Sequence, residues 1–554
     1  MLAGRGSSPE EPEVMQQKPR RGMMSRTKLA ALSAVAFMLL GVVWAFASPR
    51  GSSADEDFHL VNIWCAWGDS ELCQINPDAP GTALVPESLA YSWCYSRWPA
   101  QISAGCLNDL TMNPVETYRI SSDGLGYSIA FFDTMRIMAG TNIEFSVQVM
   151  RIFNVLLASL FFFWALKSSN WAISRALSLT WGVAMVPLGV FFVASVNPSS
   201  WTIIGVGTFW AFLASLMSKS PKTRGRKISL AFGTAASAVL ALTARTDSGV
   251  YLALTTLAIL IWRWNFISTH LSKASKLLLA TGVSIVLLFT AWIQIRRYQV
   301  FPFSFTGAQT STDQPVPAIK TLLEVPSFLY GLFGGQSART TLRDSPIAQG
   351  LDGYRPVGFT QGLGWTDTQI PSMVALMIGA AVLAMMLMGW RTYEKTRILA
   401  FLLLVVLFLA QILLMRAYFD FTGAAFIQPR YFFPISLVII GIALSMRSSE
   451  AFLNKLQAFG ITILLALAGS IAWLAVSTRY AIGPEATYTN FGQPIEWWWQ
   501  FGPGRLASFL IVTVVTTIWV AVSVYLTSTK MSKAQSFVPG EWTDGKKSNL
   551  PTDL

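Results

Sequence analysis

Long apolar runs separated by short basic connectors set the pattern of this chain. Leu29 to Ala47, Ile203 to Met217, Leu277 to Trp292, Met373 to Met388, Ile398 to Leu414 and Ser508 to Tyr525 approach the ~20 residues that a helix needs to cross a bilayer. Followed alternately from side to side, the chain is expected to make about twelve crossings. They fall near 29–47, 145–166, 172–195, 201–217, 228–244, 249–264, 276–294, 372–390, 397–415, 431–446, 457–477 and 505–526. The expected fold class is an all-α polytopic membrane protein with one transmembrane domain over 29–526 and outer loops at 48–140, 296–371 and 479–504. The ends, 1–28 and 527–554, are polar and rich in Pro, Ser, Lys and Asp, and are expected to be disordered cytoplasmic tails.

Composition narrows the class. Only 13% of residues are charged, about half the share in an ordinary soluble domain, which excludes a soluble enzyme. The net charge of +12 invites a nucleic-acid reading, but its distribution argues against one. Lys and Arg gather in Lys18 to Lys28, Lys219 to Lys227, Arg263 to Lys276, Arg391 to Arg397 and Lys530 to Lys547. That is the positive-inside bias, which assigns these connectors and both termini to the cytoplasm and the chain to a bacterial inner membrane, in contact with lipid and not nucleic acid. The first run, with Ala45-Phe46-Ala47 after it, resembles a signal peptide, yet its near-bilayer length favours an uncleaved first helix.

All four cysteines, Cys65, Cys73, Cys94 and Cys106, lie in the first outer loop. An even number confined there points to two disulfides in an oxidising compartment, of which Cys65 with Cys73 and Cys94 with Cys106 is the simplest pairing. The aromatic cluster Trp497 to Trp499 in the last outer loop is expected to sit at the lipid headgroups.

The polar motifs near helix ends sort to the outer side. Asp55, Glu56, Asp57 and His59 follow the first helix, and Asn197-Pro198-Ser199-Ser200 joins the third and fourth. Arg245-Thr246-Asp247 joins the fifth and sixth, Gly364-Trp365-Thr366-Asp367 precedes the eighth, and Gln428-Pro429-Arg430-Tyr431 opens the tenth. Each has a plain structural alternative: a solvated acidic turn, a Pro turn, an Arg245–Asp247 ion pair closing a tight connection, an Arg430 that snorkels to the headgroups. Their shared sidedness favours a site, because charged groups at membrane depth usually face partners, cavities or ligands.

A lipid-linked sugar fits this set. Arg245 and Arg430 could meet a polyprenyl phosphate at the outer leaflet, since guanidinium forks match phosphate oxygens and stay charged. Asp55 or Glu56 could take the proton of an acceptor hydroxyl as it attacks the anomeric carbon. A divalent cation could aid departure of the phosphate, but no metal site is evident.

At these residues the chain resembles the polytopic bacterial proteins grouped as a domain of unknown function, number twenty-one forty-two, over roughly residues 35 to 450. The elements are Asp55, Glu56 and His59, then Asn197-Pro198-Ser199-Ser200, Arg245 with Asp247, Gly364 to Asp367, and Gln428 to Pro434. That family resembles the GT-C glycosyltransferases. The resemblance implies transfer, with inversion, from a polyprenyl-phosphate sugar donor to a cell-envelope glycan or glycolipid acceptor outside the cytoplasmic membrane. Asp55 or Glu56 would then be the base, with Asp57, His59, Asn197, Arg245, Asp247, Asp367, Gln428, Arg430 and Tyr431 as candidate substrate-binding residues. Pro429, where that pattern leads one to expect Gly, and the cysteine-bearing insertion depart from the family. A transporter or flippase of lipid-linked saccharides, with substrate groups near the midplane, and a noncatalytic envelope scaffold are the competing readings.

Overall fold

A computed structural model of the chain describes residues 25–96, 102–118, 120, 129–218, 223–245, 247–270, 363–364, 368, 370–389, 394–422, 426–445, 453–483 and 504–528, with isolated positions between 272 and 359. The described elements form a helical membrane protein, with small sheets in the loops at one end. In chain order the helices are α1 Arg26–Ala45, α2 Glu56–Trp64, α3 Glu87–Ala90, α4 Ile129–Arg136, α5 Ile143–Ser168, α6 Trp171–Ala184, α7 Val190–Val193, α8 Ser199–Leu216, α9 Arg224–Leu242, α10 Ser248–Trp262 and α11 Trp264–His270. After the gap come α12 Ser372–Gly389, α13 Lys395–Thr422, α14 Phe433–Leu444, α15 Lys455–Ile482 and α16 Arg505–Ser528.

Among the described residues, seven helices are long and apolar enough to cross a membrane, or eight if the bent pair α10 and α11 is one span. About twelve were expected from run length alone. The expected spans at 372–390 and 431–446 exist as the shorter apolar helices α12 and α14. The span expected at 228–244 is α9, whose first turn carries Arg224, Arg226 and Lys227. The crossing at 276–294 lies mostly outside the described residues, as do nearly all of the loops at 296–371 and 479–504, the tryptophans 497–499 and both expected tails.

Local sequence explains where many helices start. Ser25, Asn142, Asn170 and Thr223 each accept a backbone N–H of the first turn, and Asn454 does so within a capping box closed by Gln457. The span Trp171–Val193 is interrupted: Val186 leaves the helical region (φ −98°, ψ 134°) before Pro187, which has no N–H to donate.

Packing joins helices distant in sequence. Phe37 of α1, Phe162 of α5, Trp181 of α6 and Trp519 of α16 form one aromatic cluster, with Phe162 and Trp181 stacked at 4.5 Å. α1 is thus an integral part of the bundle. Where helices touch most closely, small residues replace large ones: a Cβ on Gly205 of α8 would stand 2.6 Å from the Ser237 carbonyl oxygen of α9. At the end bearing the α5–α6 connection, Arg26 and Arg226 converge on the carbonyls that terminate α5. Arg26 Nη2 donates to Leu166 O at 3.1 Å and to Ser169 O, while Arg226 Nε donates to Ser168 O at 2.8 Å. Cations satisfy orphan carbonyls at the negative pole of that helix.

The opposite end carries a small cap. β1 Gln74–Ile75, β2 Ala83–Pro86 and β3 Pro114–Thr117 make an antiparallel sheet in that order, with Leu84 opposite both Gln74 and Glu116. Cys65 meets Cys73 and Cys94 meets Cys106 at disulfide distance, in the sequential pairing. The cap is tied to the bundle by Arg479 of α15, whose guanidinium donates to Ile102 O and Tyr95 O, and by Tyr95, whose hydroxyl donates to Arg50 O at 2.7 Å. A short parallel pair, β4 Gly358–Phe359 with β5 Phe426–Ile427, leads the chain to Gln428.

Candidate functional site

The ends of α1, α7 and α9 and the starts of α2, α5, α8, α10 and α14 meet at one junction under the cap, termed the mouth. The chain leaves α1 at Ala45, turns through residues 46–55 and enters α2 at Glu56. Asp55, at the corner, has φ +64° and ψ 9°, the sole positive φ on a non-glycine among the described residues. Such a left-handed conformation costs about 1–3 kcal/mol and persists only where the surroundings enforce it. An N-cap Asp would ordinarily accept a first-turn N–H of its helix, but the Asp55 side chain makes no such bond. Its Oδ2 instead accepts from Arg430 Nη2 at 2.8 Å.

Arg430 reaches this place from a 3-10 turn, Pro429–Tyr431, immediately before α14. Its Nη1 donates to Ala54 O at 3.1 Å, and its guanidinium lies 5.6 Å from the Phe192 ring and 5.1 Å from the Tyr431 ring. Asn197 secures the same carbonyl, donating Nδ2 to Ala54 O at 2.8 Å while its Oδ1 accepts from Ser199 N. Arg245 approaches the Tyr431 ring at 5.4 Å. It forms a bidentate pair with Asp247 at 3.0 and 2.9 Å and donates to Ser199 Oγ at 3.2 Å. Both guanidiniums therefore sit against one tyrosine, within the range of cation–π attraction. Tyr431 is itself held by the Tyr251 hydroxyl, which donates to its carbonyl, and by its N–H, which donates to Gln428 O at 3.1 Å.

The two candidate acids have different environments. The Asp55 side chain is 35% exposed, whereas that of Glu56 is fully buried. Glu56 Oε2 accepts from Arg151 Nη2 at 3.0 Å and from Ser53 N at 3.2 Å, and Oε1 accepts from Val196 N at 2.8 Å. In this geometry Glu56 is half of a buried structural ion pair, and Asp55 is the carboxylate that faces the mouth. Arg151, absent from the sequence candidates, was foreshadowed by one signal: a lone charge inside the spanning run of α5.

Asp57 and His59 are buried on α2, and His59 sets its ring 5.9 Å from Phe132 of α4, against the cap. Asp367 lies outside the described residues. Its neighbour Thr368 donates Oγ1 to the Tyr480 hydroxyl at 2.9 Å, and Tyr480 in turn donates to Ser52 O at 3.5 Å. Nearby, burial pushes the Arg50 guanidinium below its ordinary value, partly opposed by Glu144 at 3.6 Å. Among the described residues, no group of three or more His, Cys, Asp or Glu is placed to hold a metal ion.

The arrangement brings two guanidiniums, each paired with a carboxylate, against one tyrosine, and Asp55 is the more exposed of the two carboxylates. A family model described as a predicted membrane protein (DUF2142) matches residues 37–439. No curated protein matches the chain, and no solved structure does.

Proposed function

The chain belongs to the DUF2142 family of predicted membrane proteins, and from that premise we propose that it is a glycosyltransferase of GT-C type. It moves a sugar from a polyprenyl-phosphate donor to a cell-envelope glycan or glycolipid on the extracytoplasmic side of the bacterial inner membrane. The observation that carries this reading is the contact between Asp55 and Arg430, with Arg245 on the same tyrosine. A glycosyl phosphate places its reacting carbon one bond from a phosphate oxygen. An enzyme acting on it needs a base on one face of the sugar and a cation for the phosphate on the other, about one ring width apart, at the depth of the headgroups.

The step is a single displacement. Asp55 accepts the proton of the acceptor hydroxyl as that oxygen bonds to the anomeric carbon from the face opposite the phosphate. The bond between the anomeric carbon and the phosphate oxygen breaks, and its electron pair leaves with the polyprenyl phosphate. Arg245 receives the charge that develops there, and Arg430, paired with Asp55, holds the base toward the acceptor. The configuration inverts. Asn197 and Tyr431 hold the backbone and the cations in place.

Purified protein supplied with polyprenyl-phosphate sugars and envelope glycan acceptors is expected to extend the acceptor. Asp55→Asn should cut extension to a small residual rate while leaving the protein folded, and full transfer by that variant would remove the proposed base. The interrupted span Trp171–Val193 favours a second reading, because transporters often bind substrate at discontinuous helices. Translocation of the lipid-linked sugar across liposomes with no new glycosidic bond would select it.

A further inference from the structure

We infer that Arg151 is a positioning residue for Asp55, acting through Glu56 to hold the corner between α1 and α2 in the conformation that turns the Asp55 carboxylate toward Arg430. The inference rests on the glycosyltransferase reading only for the consequence it predicts in turnover. Its structural basis is independent of that reading.

The Arg151 guanidinium is fully buried. Its Nη1 donates to Ala45 O at 3.0 Å and Ser48 O at 2.7 Å, and its Nη2 to Pro49 O at 2.7 Å and Ser52 Oγ at 3.4 Å. The remaining contacts go to both oxygens of Glu56. One side chain thereby ties the last carbonyl of α1, the turn that follows it and the first residue of α2 into a single knot. Glu56 extends the knot to the α7–α8 connection through Val196 N.

Asp55 sits where this knot closes. On one side Glu56 is fixed by Arg151, and on the other Ala54 O is fixed by Asn197 and Arg430. Both neighbours of Asp55 being pinned, its backbone is driven into the left-handed region. The natural alternative for an Asp before a helix is an extended φ with its carboxylate capping the first turn. Released from the knot, Asp55 would relax to that cap, gain a helix hydrogen bond and lose the strain. Its carboxylate would then leave Arg430. The pinned corner thus diverts a capping residue to the mouth. Arg245, on the α9–α10 connection and paired with Asp247, lies outside the knot, whereas Arg430, in the turn before α14, bonds to it through Ala54 O and Asp55.

The test compares Arg151→Lys, Asp55→Ala and the double variant in full-length purified protein, reading turnover and the binding of polyprenyl phosphate separately. Arg151→Lys keeps a charge but loses the fork. A misplaced reacting group of this kind lowers turnover about a hundredfold, while the Kd for polyprenyl phosphate, set chiefly by Arg245, changes far less. The double variant should turn over no more slowly than Asp55→Ala alone, because a positioning residue has nothing left to position. Losses that multiply in the double variant, or a Kd that weakens in step with turnover, would overturn the inference and leave Arg151 with a purely structural role. Should Arg151→Lys not fold, Glu56→Gln cuts the same link and carries the same comparison. Wild-type turnover by Asp55→Ala would instead sink the base assignment, an outcome distinct from either failure of Arg151.

Discussion

Replacing Glu56 by Ala separates the two acidic residues most sharply. The substitution strands the Arg151 charge at a site with no solvent exposure and removes the acceptor for two backbone donors, Ser53 N and Val196 N. Breaking a buried pair by removing one partner costs about 3–5 kcal/mol, because the remaining charge stays desolvated. Each orphaned N–H adds about 1–3 kcal/mol where water does not reach it. These contributions overlap, so the expected loss is at the upper end of the first range, about 5 kcal/mol. Asp55→Ala breaks a pair whose carboxylate is a third exposed and leaves the buried Arg430 bonded to Ala54 O, so it should lose less, about 1–3 kcal/mol. Equilibrium unfolding in mixed micelles with increasing SDS measures both. A double variant, Glu56→Ala with Arg151→Met, removes the stranded charge and should recover part of the loss. Recovery stays incomplete because Ala45, Ser48 and Pro49 carbonyls lose their donor. If Glu56→Ala costs less than about 1 kcal/mol, the value for an exposed pair, the pair is not buried and the assignment of the two acids fails.

The cap should respond to acid through Glu87. Its exposed carboxyl is held below the ordinary carboxylate range by the Thr111 hydroxyl and N–H, at 2.8 and 3.1 Å. A depressed folded value means that the stabilisation is present above the unfolded carboxyl's pKa of about 4 and is lost as pH falls through the lower folded value. The protection factor of the Thr111 amide against hydrogen exchange should drop across that window in the wild type and stay flat in Glu87→Gln. Sidedness is checked by thiol labelling, since no described cysteine is free. In right-side-out vesicles a membrane-impermeant maleimide should modify Asp109→Cys and Asp367→Cys but not Lys227→Cys, and protection of Asp367→Cys alone would dissolve the one-sided site.

Several features were legible before any coordinates. The apolar runs located the long described helices, and alternation along the chain grouped Asp55, Asn197, Arg245 and Arg430, which the structure brings together. Confinement of the cysteines to a single loop suggested two disulfides, and the structure supplies the pairing, which sequence left open among three. Among the described residues run length is matched by seven or eight spans, since α12 and α14 are apolar but short and α9 begins with three cations. The cap sheet and the short helices α2, α3, α4 and α11 were missed: strands of two to four residues and helices of four to nine leave too little periodic signature.

What the sequence determined by itself is the solvent. Transfer of each side chain between water and lipid is nearly a local and additive property, so runs, charge bias and polar clusters are readable residue by residue. Which acid faces the mouth is not such a property. Asp55 and Glu56 are adjacent and chemically alike, and their fates diverge only because Arg151 lies 95 positions from Glu56 and Arg430 lies 375 positions from Asp55. Those encounters depend on how α1, α5 and α14 pack, and only the tertiary structure could decide them.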